Sequence, residues 1–352
     1  MRADAVYVVG LGASTPVGRD PWSSSAAVRA SVTGFTEHPF MFDSAGERMQ
    51  VAIAPWLDID LPGLQRFEEL LFPAIGQALE SVATGPAIRL ALALALPPAR
   101  PGLPPNLERE LRGAIAADFA DRFDVVAMFS AGHAAGFVGM FAAMTRMQAG
   151  VFDACVVAGV ESYLDPESLE WLEQNGQLHG AGATRNPWGF VPGEAAGAVL
   201  LASGAVVNRL AIEPFARVLG VGQGREEKRI NTQTVCTGKG LTAAFRESLA
   251  ALPEGARVTD VFCDMNGEPY RADEFGFATL RTRESFASTS DFVAPASYWG
   301  DVSAASAPLG IMLSAIAAEN GCANGTHAFV WASSEGGERG AALLLVPQFE
   351  RG

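Results

Sequence analysis

Short apolar runs alternate with amphipathic stretches along most of the chain. Buried strands are predicted where the runs are continuous, at residues 5–10, 88–96, 125–129, 153–159 and 198–202. Helices are predicted where apolar residues recur three or four positions apart or fill a longer stretch, at residues 22–33, 67–82, 107–123, 134–148 and 165–174. Strands that alternate with helices in this way are typical of an α/β protein.

The second half of the chain continues this alternation without a strong sequence repeat. Its expected elements are a strand at 209–220, a helix at 240–252, a strand within 255–270, an Ala-rich helix that ends near 318, and a closing hairpin of 327–332 with 341–346. Between the halves, Asp165 before Pro166 predicts a helix N-cap, because a carboxylate accepts from open amides and proline fits the first helical position.

The stretch 125–160 has the pattern around which the rest of the chain is organised. A strand ends in the small residues Ser130 to Gly132, His133 follows, and a helix rich in Ala, Met and Phe runs to Gln148 before the next strand. This order places His133 at a helix N-terminus, where the helix dipole and open amides favour a nucleophile or an oxyanion.

Composition excludes several classes of function. The formal charge of −14 argues against nucleic acid or an anionic membrane as the main partner. No run approaches the roughly 18 apolar residues of a membrane span, and the first residues lack a signal-peptide pattern, so a cytoplasmic protein is expected. The glycine turn predicted at 10–18 lacks G-x-G-x-x-G, so no nucleotide or other cofactor is expected. Cysteines and histidines lack metal-ligand spacing, so no metal is expected either.

The segment from Gly189 to Gly197 reads Gly-Phe-Val-Pro-Gly-Glu-Ala-Ala-Gly and leads into a predicted strand. Together with the 125–160 unit, it resembles the β-ketoacyl-acyl-carrier-protein synthases of the thiolase-like superfamily, which carry Gly-Phe-Val-x-Gly-Glu-Gly-Ala-Gly at this turn. The resemblance implies a thiolase-like five-layered αβαβα fold made of two similar halves, here residues 1–205 and 206–352. It covers most of the chain and is weak at residues 35–115.

The same resemblance implies where the condensing residues should lie. Counting back seventeen residues from Gly150 puts His133 at the position of the family's nucleophilic Cys. Asn266 and Asp301 take the positions of its two His side chains, which polarise the malonyl thioester and stabilise the enolate. Standard decarboxylative condensation is therefore not expected. Asp301 would instead orient the His133 imidazole and raise its basicity.

Five further residues are expected to support this site. Ser130 and Ser303 are hydroxyls that a His–Asp pair can use in acyl transfer, and the sequence leaves open whether Ser130 rather than the histidine occupies the nucleophile position. Glu194 is expected to tie backbone amides near the site, as in the family. Gly336 and Gly337 keep the glycines of the family's Gly-Phe-Gly-Gly-Thr-Asn turn without its Phe, so they are expected to retain main-chain donors.

Three functions are compatible with these residues. The first is an acyltransferase of the 3-oxoacyl-ACP synthase class, or a thioesterase, that uses His133 and Asp301. The second is a non-catalytic partner or scaffold of an active synthase, similar to the chain-length factors of polyketide systems, which lack the Cys. The third is a pseudoenzyme that binds thioesters of fatty acid or polyketide biosynthesis. The expected partners are acyl-ACP or acyl-CoA, in a homodimer or in a heterodimer with a ketosynthase.

Overall fold

A computed structural model describes residues 5–82, 88–120, 122–230 and 235–348. Within these residues the strands are β1 (Val6–Ser14), β2 (Phe35–Phe42), β3 (Arg48–Ala52), β4 (Leu90–Ala95), β5 (Val125–Phe129), β6 (Ala154–Ser162), β7 (Glu194–Ser203), β8 (Ala216–Arg225), β9 (Asp260–Cys263), β10 (His327–Ser333) and β11 (Glu338–Leu345). The helices are α1 (Pro21–Arg29), α2 (Gly63–Leu79), α3 (Leu107–Asp118), α4 (Ala135–Gln148), α5 (Pro166–Gln174), α6 (Gly204–Leu210), α7 (Lys239–Leu249), α8 (Pro269–Thr282), α9 (Ala296–Trp299) and α10 (Ser306–Glu319).

Nine of these strands form one sheet in the order β5-β4-β6-β7-β1-β8-β11-β10-β9. From β1 outward, β7 pairs antiparallel, β6 pairs antiparallel with β7, and β4 pairs parallel with β6. From β8 outward, β11, β10 and β9 repeat the same three orientations. The two halves therefore share one topology, although no sequence repeat reveals it, and they join where Val6–Val8 pairs with residues 216–218.

The helices divide into three layers around the two halves of the sheet. Helices α2 and α3 share an apolar core with β1, β4, β6 and β7 on one outer side. Helices α7 and α8 do the same with β9, β10 and β11 on the other outer side. The third core lies between the half-sheets and contains α4 and α10. This arrangement confirms the α/β class and the expected five layers, whereas the division at residue 205 stays a prediction.

The two central helices are alike in build. Helices α4 and α10 each have 14 residues, and each follows a three-residue 3-10 turn, at Gly132–Ala134 and Ser303–Ala305. They cross closely, since a Cβ atom on Gly136 would lie 2.6 Å from that of Ala307. Both turns therefore meet at the centre of the molecule.

Three parts of the chain differ from the sequence-based expectation. The glycine turn predicted at 10–18 is mostly strand. A Cβ atom on Gly12 would lie 1.8 Å from the carbonyl oxygen of Ala74, so glycine is needed there because helix α2 packs directly on the backbone of β1. The strand expected from 209 begins only at Ala216, because Ser203 caps helix α6 through the amide of Val206. Helix α8 and the β2–β3 hairpin were not expected at all, since polar and aromatic residues obscure their apolar period.

Other local predictions hold. Asp165 caps α5 by accepting from the amide of Glu167, with Pro166 at the first helical position. The closing hairpin forms as β10 and β11. Within the described part of the chain, every helix is too short or too polar to cross a membrane.

Candidate functional site

His133 lies in the 3-10 turn that joins β5 to α4. Gly132 precedes it with a φ of +71°, a left-handed conformation that favours glycine, and Ser334 Oγ accepts from the amide of Ala134 at 2.8 Å. The His133 residue is 3% exposed. The predicted position at the start of the buried helix is therefore occupied by a buried imidazole.

Asp301 reaches the same point from the loop before α10. Its backbone is held by Val191 and Gly193 of the Gly-Phe-Val-Pro-Gly-Glu segment, through the bonds Asp301 N to Val191 O at 2.8 Å and Gly193 N to Asp301 O at 2.9 Å. Its Oδ1 accepts from the amide of Ser303 at 2.9 Å. Both carboxylate oxygens lie 2.9 Å from Nε2 of His133. The segment that resembles the family motif therefore fixes the carboxylate opposite His133.

Asn266 completes the predicted set of three. It follows β9 and donates from Nδ2 to Oδ2 of Asp301 at 2.7 Å and to Oε2 of Glu268 at 3.0 Å. The structure thus brings His133, Asn266 and Asp301 together, although they are far apart in the chain. Their roles in catalysis stay predictions.

Arg271, in the first turn of α8, is the central residue that the sequence reasoning missed. It is fully buried. Its Nη1 donates to Asp264 Oδ2 at 2.7 Å, its Nε donates to Glu268 Oε2 at 3.1 Å, and its Nη2 lies 3.2 Å from Nε2 of His133. The sequence carried a signal for it, because Asp264 and Glu268 flank a buried strand end and buried carboxylates need a cation.

The network extends toward the surface through an amide. Gln177 Nε2 donates to Glu268 Oε1 at 3.1 Å and to Glu335 Oε1 at 2.7 Å. Arg271 Nη1 also donates to the carbonyl of Ser333 at 2.7 Å. The site is therefore a connected set of buried charges whose polar atoms mostly contact one another.

The charges of the central pair follow from this geometry. Burial lowers the pKa of His133, but the adjacent Asp301 carboxylate outweighs it, and the net pKa lies above the ordinary value despite the opposing charge of Arg271. Burial raises the pKa of Asp301, yet His133 and Arg271 outweigh it and hold that pKa well below its usual range. Each group of the pair therefore stabilises the charged form of the other.

The five supporting residues occupy different places. Ser130 is exposed at the end of β5, whereas Ser303 is buried and binds Asp301 only through its backbone amide. Gly336 is exposed at the β10–β11 turn, and the amide of Gly337 already donates to the carbonyl of Ser334 at 3.1 Å, so it is not an open main-chain donor.

Glu194 is buried at the start of β7. Its carboxylate accepts from the amide of Ala54 at 2.9 Å and from Ser162 Oγ at 3.0 Å, and it pairs with Arg66 Nε at 3.1 Å. No hydrogen bond of its side chain reaches the His133 network among the described residues. These bonds are of the structural kind that the sequence predicts for this glutamate.

A small cavity adjoins the network at Asp264 and Asp301. The cavity beside it measures about 20 Å³ and is lined by Cys263, Asp264, Trp299, Asp301 and neighbouring side chains. A water molecule needs at least about 10–15 Å³ of such volume, so the cavity has room for a single water.

Comparison with known proteins places this geometry in a family context. Residues 112–205 match the family model for the N-terminal domain of β-ketoacyl synthase. No curated protein matches the chain in sequence. The chain is β-ketoacyl-synthase-like in fold.

Solved structures of low identity support this assignment. A chain of a type II polyketide synthase acyl-carrier protein in complex with its ketosynthase, bound to the hexaketide, aligns with a TM-score of 0.78 and 15% identity over 99% of this chain and 100% of its own. The ishigamide ketosynthase/chain length factor aligns with a TM-score of 0.73 and 18% identity over 97% and 99%. The ketosynthase from module 6 of the bacillaene synthase from Bacillus subtilis 168 aligns with a TM-score of 0.76 and 17% identity over 98% and 72%.

No cysteine stands at the start of α4 in this ketosynthase-like chain. Cys155 and Cys263 are buried in strands, and burial raises the pKa of Cys155 to about 12 and that of Cys263 further still. Cys236 lies with Glu226 and Glu274, the potential ligand atoms being within 4.8 Å of one another. Glu226 already accepts from the amide of Gly240 at 2.9 Å, and Glu274 accepts from Arg339 Nε at 2.6 Å. The expectation that the protein holds no metal stays a prediction.

Proposed function

We propose that this protein is a non-condensing, ketosynthase-like subunit that acts through a partner protein, in the manner of a chain-length factor. The observation that carries the proposal is the buried ion network at the position of the family's active site. Its members are His133, Asp301, Asn266, Arg271 and Asp264. Decarboxylative condensation needs a thiolate that forms and releases a thioester, and no such group stands at the start of α4.

His133 is a poor substitute for that thiolate. An imidazole acts as a nucleophile or general base only when one ring nitrogen keeps a free lone pair. Here the Asp301 carboxylate raises the pKa of His133 despite burial, and Nε2 faces that carboxylate at 2.9 Å. Nε2 is therefore engaged by Asp301 and is not free to act on a substrate.

The cavity beside Asp301 also leaves little room for an acyl group. The cavity of about 20 Å³ beside Asp301 has the size of one water, whereas a thioester with even a short acyl chain needs several times more. We infer that the network stabilises the fold in place of a substrate pocket.

A surface for a partner is present at the sheet edge. All five residues of β5 are apolar and partly exposed, and β5 pairs only with β4 among the described strands. An apolar cavity of about 330 Å³ lies beside it, and Phe141 and Val151 nearby are 40% and 47% exposed. An open apolar edge strand is a template for pairing with another chain, so we propose that a ketosynthase or a second copy binds here.

A hydrolase or acyltransferase remains the second candidate, because His133 and Asp301 form a close pair. In hydrolase triads the histidine contacts a carboxylate with one ring nitrogen and a nucleophilic hydroxyl with the other. No hydroxyl in the described part of the chain is hydrogen-bonded to His133. This alternative therefore requires a rearrangement of the site that the non-catalytic role does not.

The test is intact-protein mass spectrometry after incubation with acyl-CoA and acyl-carrier thioesters, with thiol release followed in parallel. We expect no acyl adduct and no turnover above buffer. A stable adduct, or thiol release that is lost in His133→Ala, would establish the acyl-transfer alternative. A Cys-containing synthase that co-purifies with the chain would support the partner role.

A further inference from the structure

A second cavity, of about 300 Å³, lies outside the His133 site. It is enclosed by strand β2, the start of α2, the start of α5 and the loop between β4 and α3. Its apolar walls are formed by Phe40, Met41, Ile59, Leu61, Phe67 and Leu164. Three hydrogen-bond donors of different origin also border it.

The first donor is His38, which is 3% exposed. Its Nδ1 accepts from the amides of Phe40 at 3.2 Å and Met41 at 3.1 Å, so this nitrogen carries no proton. Burial, with Arg66 and Arg48 nearby, lowers the pKa of His38 and keeps the ring neutral. The proton is therefore on Nε2, and no described residue accepts from it.

The second donor is Arg66, a buried residue that lines the cavity. Its Nε pairs with Glu194, and its Nη1 donates to the carbonyl of Asp58 at 2.9 Å. Its Nη2 has no hydrogen-bond partner. The guanidinium is therefore incompletely hydrogen-bonded, and it places a positive charge beside the cavity rather than a donor inside it.

The third set of donors is the N-terminus of α2, a helix of 17 residues. Pro62 precedes it without a side-chain cap, and its first turn carries no acidic residue. The first intrahelical bond is donated by Arg66 to the carbonyl of Pro62, which leaves the amides of the preceding turn open. Pro62 and Gly63 line the cavity, so the positive end of the helix dipole faces it.

We propose that this cavity binds a small monocarboxylate with an apolar body. The carboxylate would accept from His38 Nε2 and from the open amides of α2, with the Arg66 charge behind them, while the hydrocarbon part packs on Leu61, Phe67 and Leu164. Charge-assisted bonds to backbone amides and a nearby guanidinium are the interactions that hold carboxylates in proteins.

The remaining charges at the cavity limit the ligand to one negative charge. Asp60 and Asp165 also line it. Asp165 is committed to the α5 cap through the amide of Glu167, and Asp60 is exposed to solvent. A dianion such as phosphate would meet two carboxylates, so a monoanion is preferred.

The test is a titration of the full-length protein with hexanoate, followed by NMR of the His38 ring protons. The chain has four histidines, and the signal that disappears in the His38→Asn variant is that of His38. The asparagine side-chain oxygen can still accept from the amides of Phe40 and Met41. We expect a saturable shift in the wild type. Calorimetry should show that His38→Asn binds hexanoate about tenfold more weakly than the wild type, because one hydrogen bond to a charged group is lost.

Two further variants and one further ligand decide the outcome. Leu61→Trp should abolish binding because the indole fills the cavity, whereas Leu280→Trp on the exposed face of α8 should bind as the wild type does. 1-Hexanol should bind at least tenfold more weakly than hexanoate. A linear shift without saturation, equal binding by Leu61→Trp, or equal affinity for the alcohol would overturn the proposal. None of these results depends on whether the His133 site is catalytic.

Discussion

The centre of this molecule and the β5 edge of its sheet differ in a way that reverses the usual distribution of charged and apolar side chains. At the centre, Arg271, Asp264, His133 and Asp301 form ion pairs that are almost fully buried. At the edge, strand β5 presents a continuous apolar sequence that is partly exposed. A soluble monomer normally has apolar side chains inside and charges outside.

The two regions also differ in what they contribute to the protein. A buried ion network costs desolvation free energy and adds little net stability over an apolar core. Removing a single member is nevertheless strongly destabilising, because the remaining charges are left buried without a partner. An apolar edge is stable only when it is covered. This contrast is the basis of the proposed non-catalytic role, in which the central network is structural and the β5 edge binds a partner.

The largest expected effect is at the centre. Arg271→Met keeps the volume but leaves Asp264 and Glu268 buried without their cation, so the free energy of unfolding should fall by about 3–5 kcal/mol. Chemical denaturation measures it. The control is Arg89→Met, which breaks the exposed pair with Asp153 and should change stability little. Equal losses in the two variants would show that the network is not special.

The next effect is at the edge. Ala127 lies in the middle of β5 and lines the apolar cavity there. Ala127→Lys should weaken association at least tenfold, because a lysine on an edge strand opposes pairing. Sedimentation of the protein alone, and of its complex with a co-purifying synthase, measures this. Leu280→Lys, on an exposed site that is 66% accessible, is the matched control. Association that survives Ala127→Lys would place the interface elsewhere.

The smallest effect is the pH dependence of the central pair. The pKa of His133 is raised in the folded protein, so its stabilising contribution is full below about pH 6.5 and is lost as the pH rises through the folded value. The pKa of Asp301 is lowered, so its contribution is full above about pH 3.8 and is lost as the pH falls from there through the folded value.

Unfolding curves of the wild type and of His133→Gln at several pH values test this assignment. The wild type should lose more stability than the variant as the pH rises from 6 through the folded pKa of His133. Parallel curves would show that folding leaves the pKa of His133 unchanged, and a wild type that gains stability relative to the variant as the pH rises would show a neutral folded imidazole. That result would also revive its use as a base.

Much of the fold was predictable because its signals are local. The β5–turn–α4–β6 unit is encoded by apolar runs and small residues that are contiguous in sequence, and the α5 cap by the neighbours Asp165 and Pro166. Helix α6 was missed for an equally physical reason. Its cap, Ser203, directly follows a strand, so the apolar residues after it look like a continuation of β structure.

The site was predictable only in part. Resemblance to a known family placed His133, Asn266 and Asp301 together, and the distances among their side chains agree with that placement. The resemblance gave no position for Arg271, whose sequence signal was only the pair of carboxylates Asp264 and Glu268, and whose contact with His133 joins residues 138 positions apart. An arginine two residues after a proline is usually a solvated residue at the start of a helix.

The sequence by itself determined the class of the fold, the position of the central helix and the absence of a thiol at its start. Only the tertiary structure decided that the site is closed by a buried arginine, that β5 is left at an open edge, and that a second cavity faces the start of α2. The physical reason is that backbone propensity and apolar period act over a few residues. Burial, ion pairing and free edges depend on which distant segments pack together.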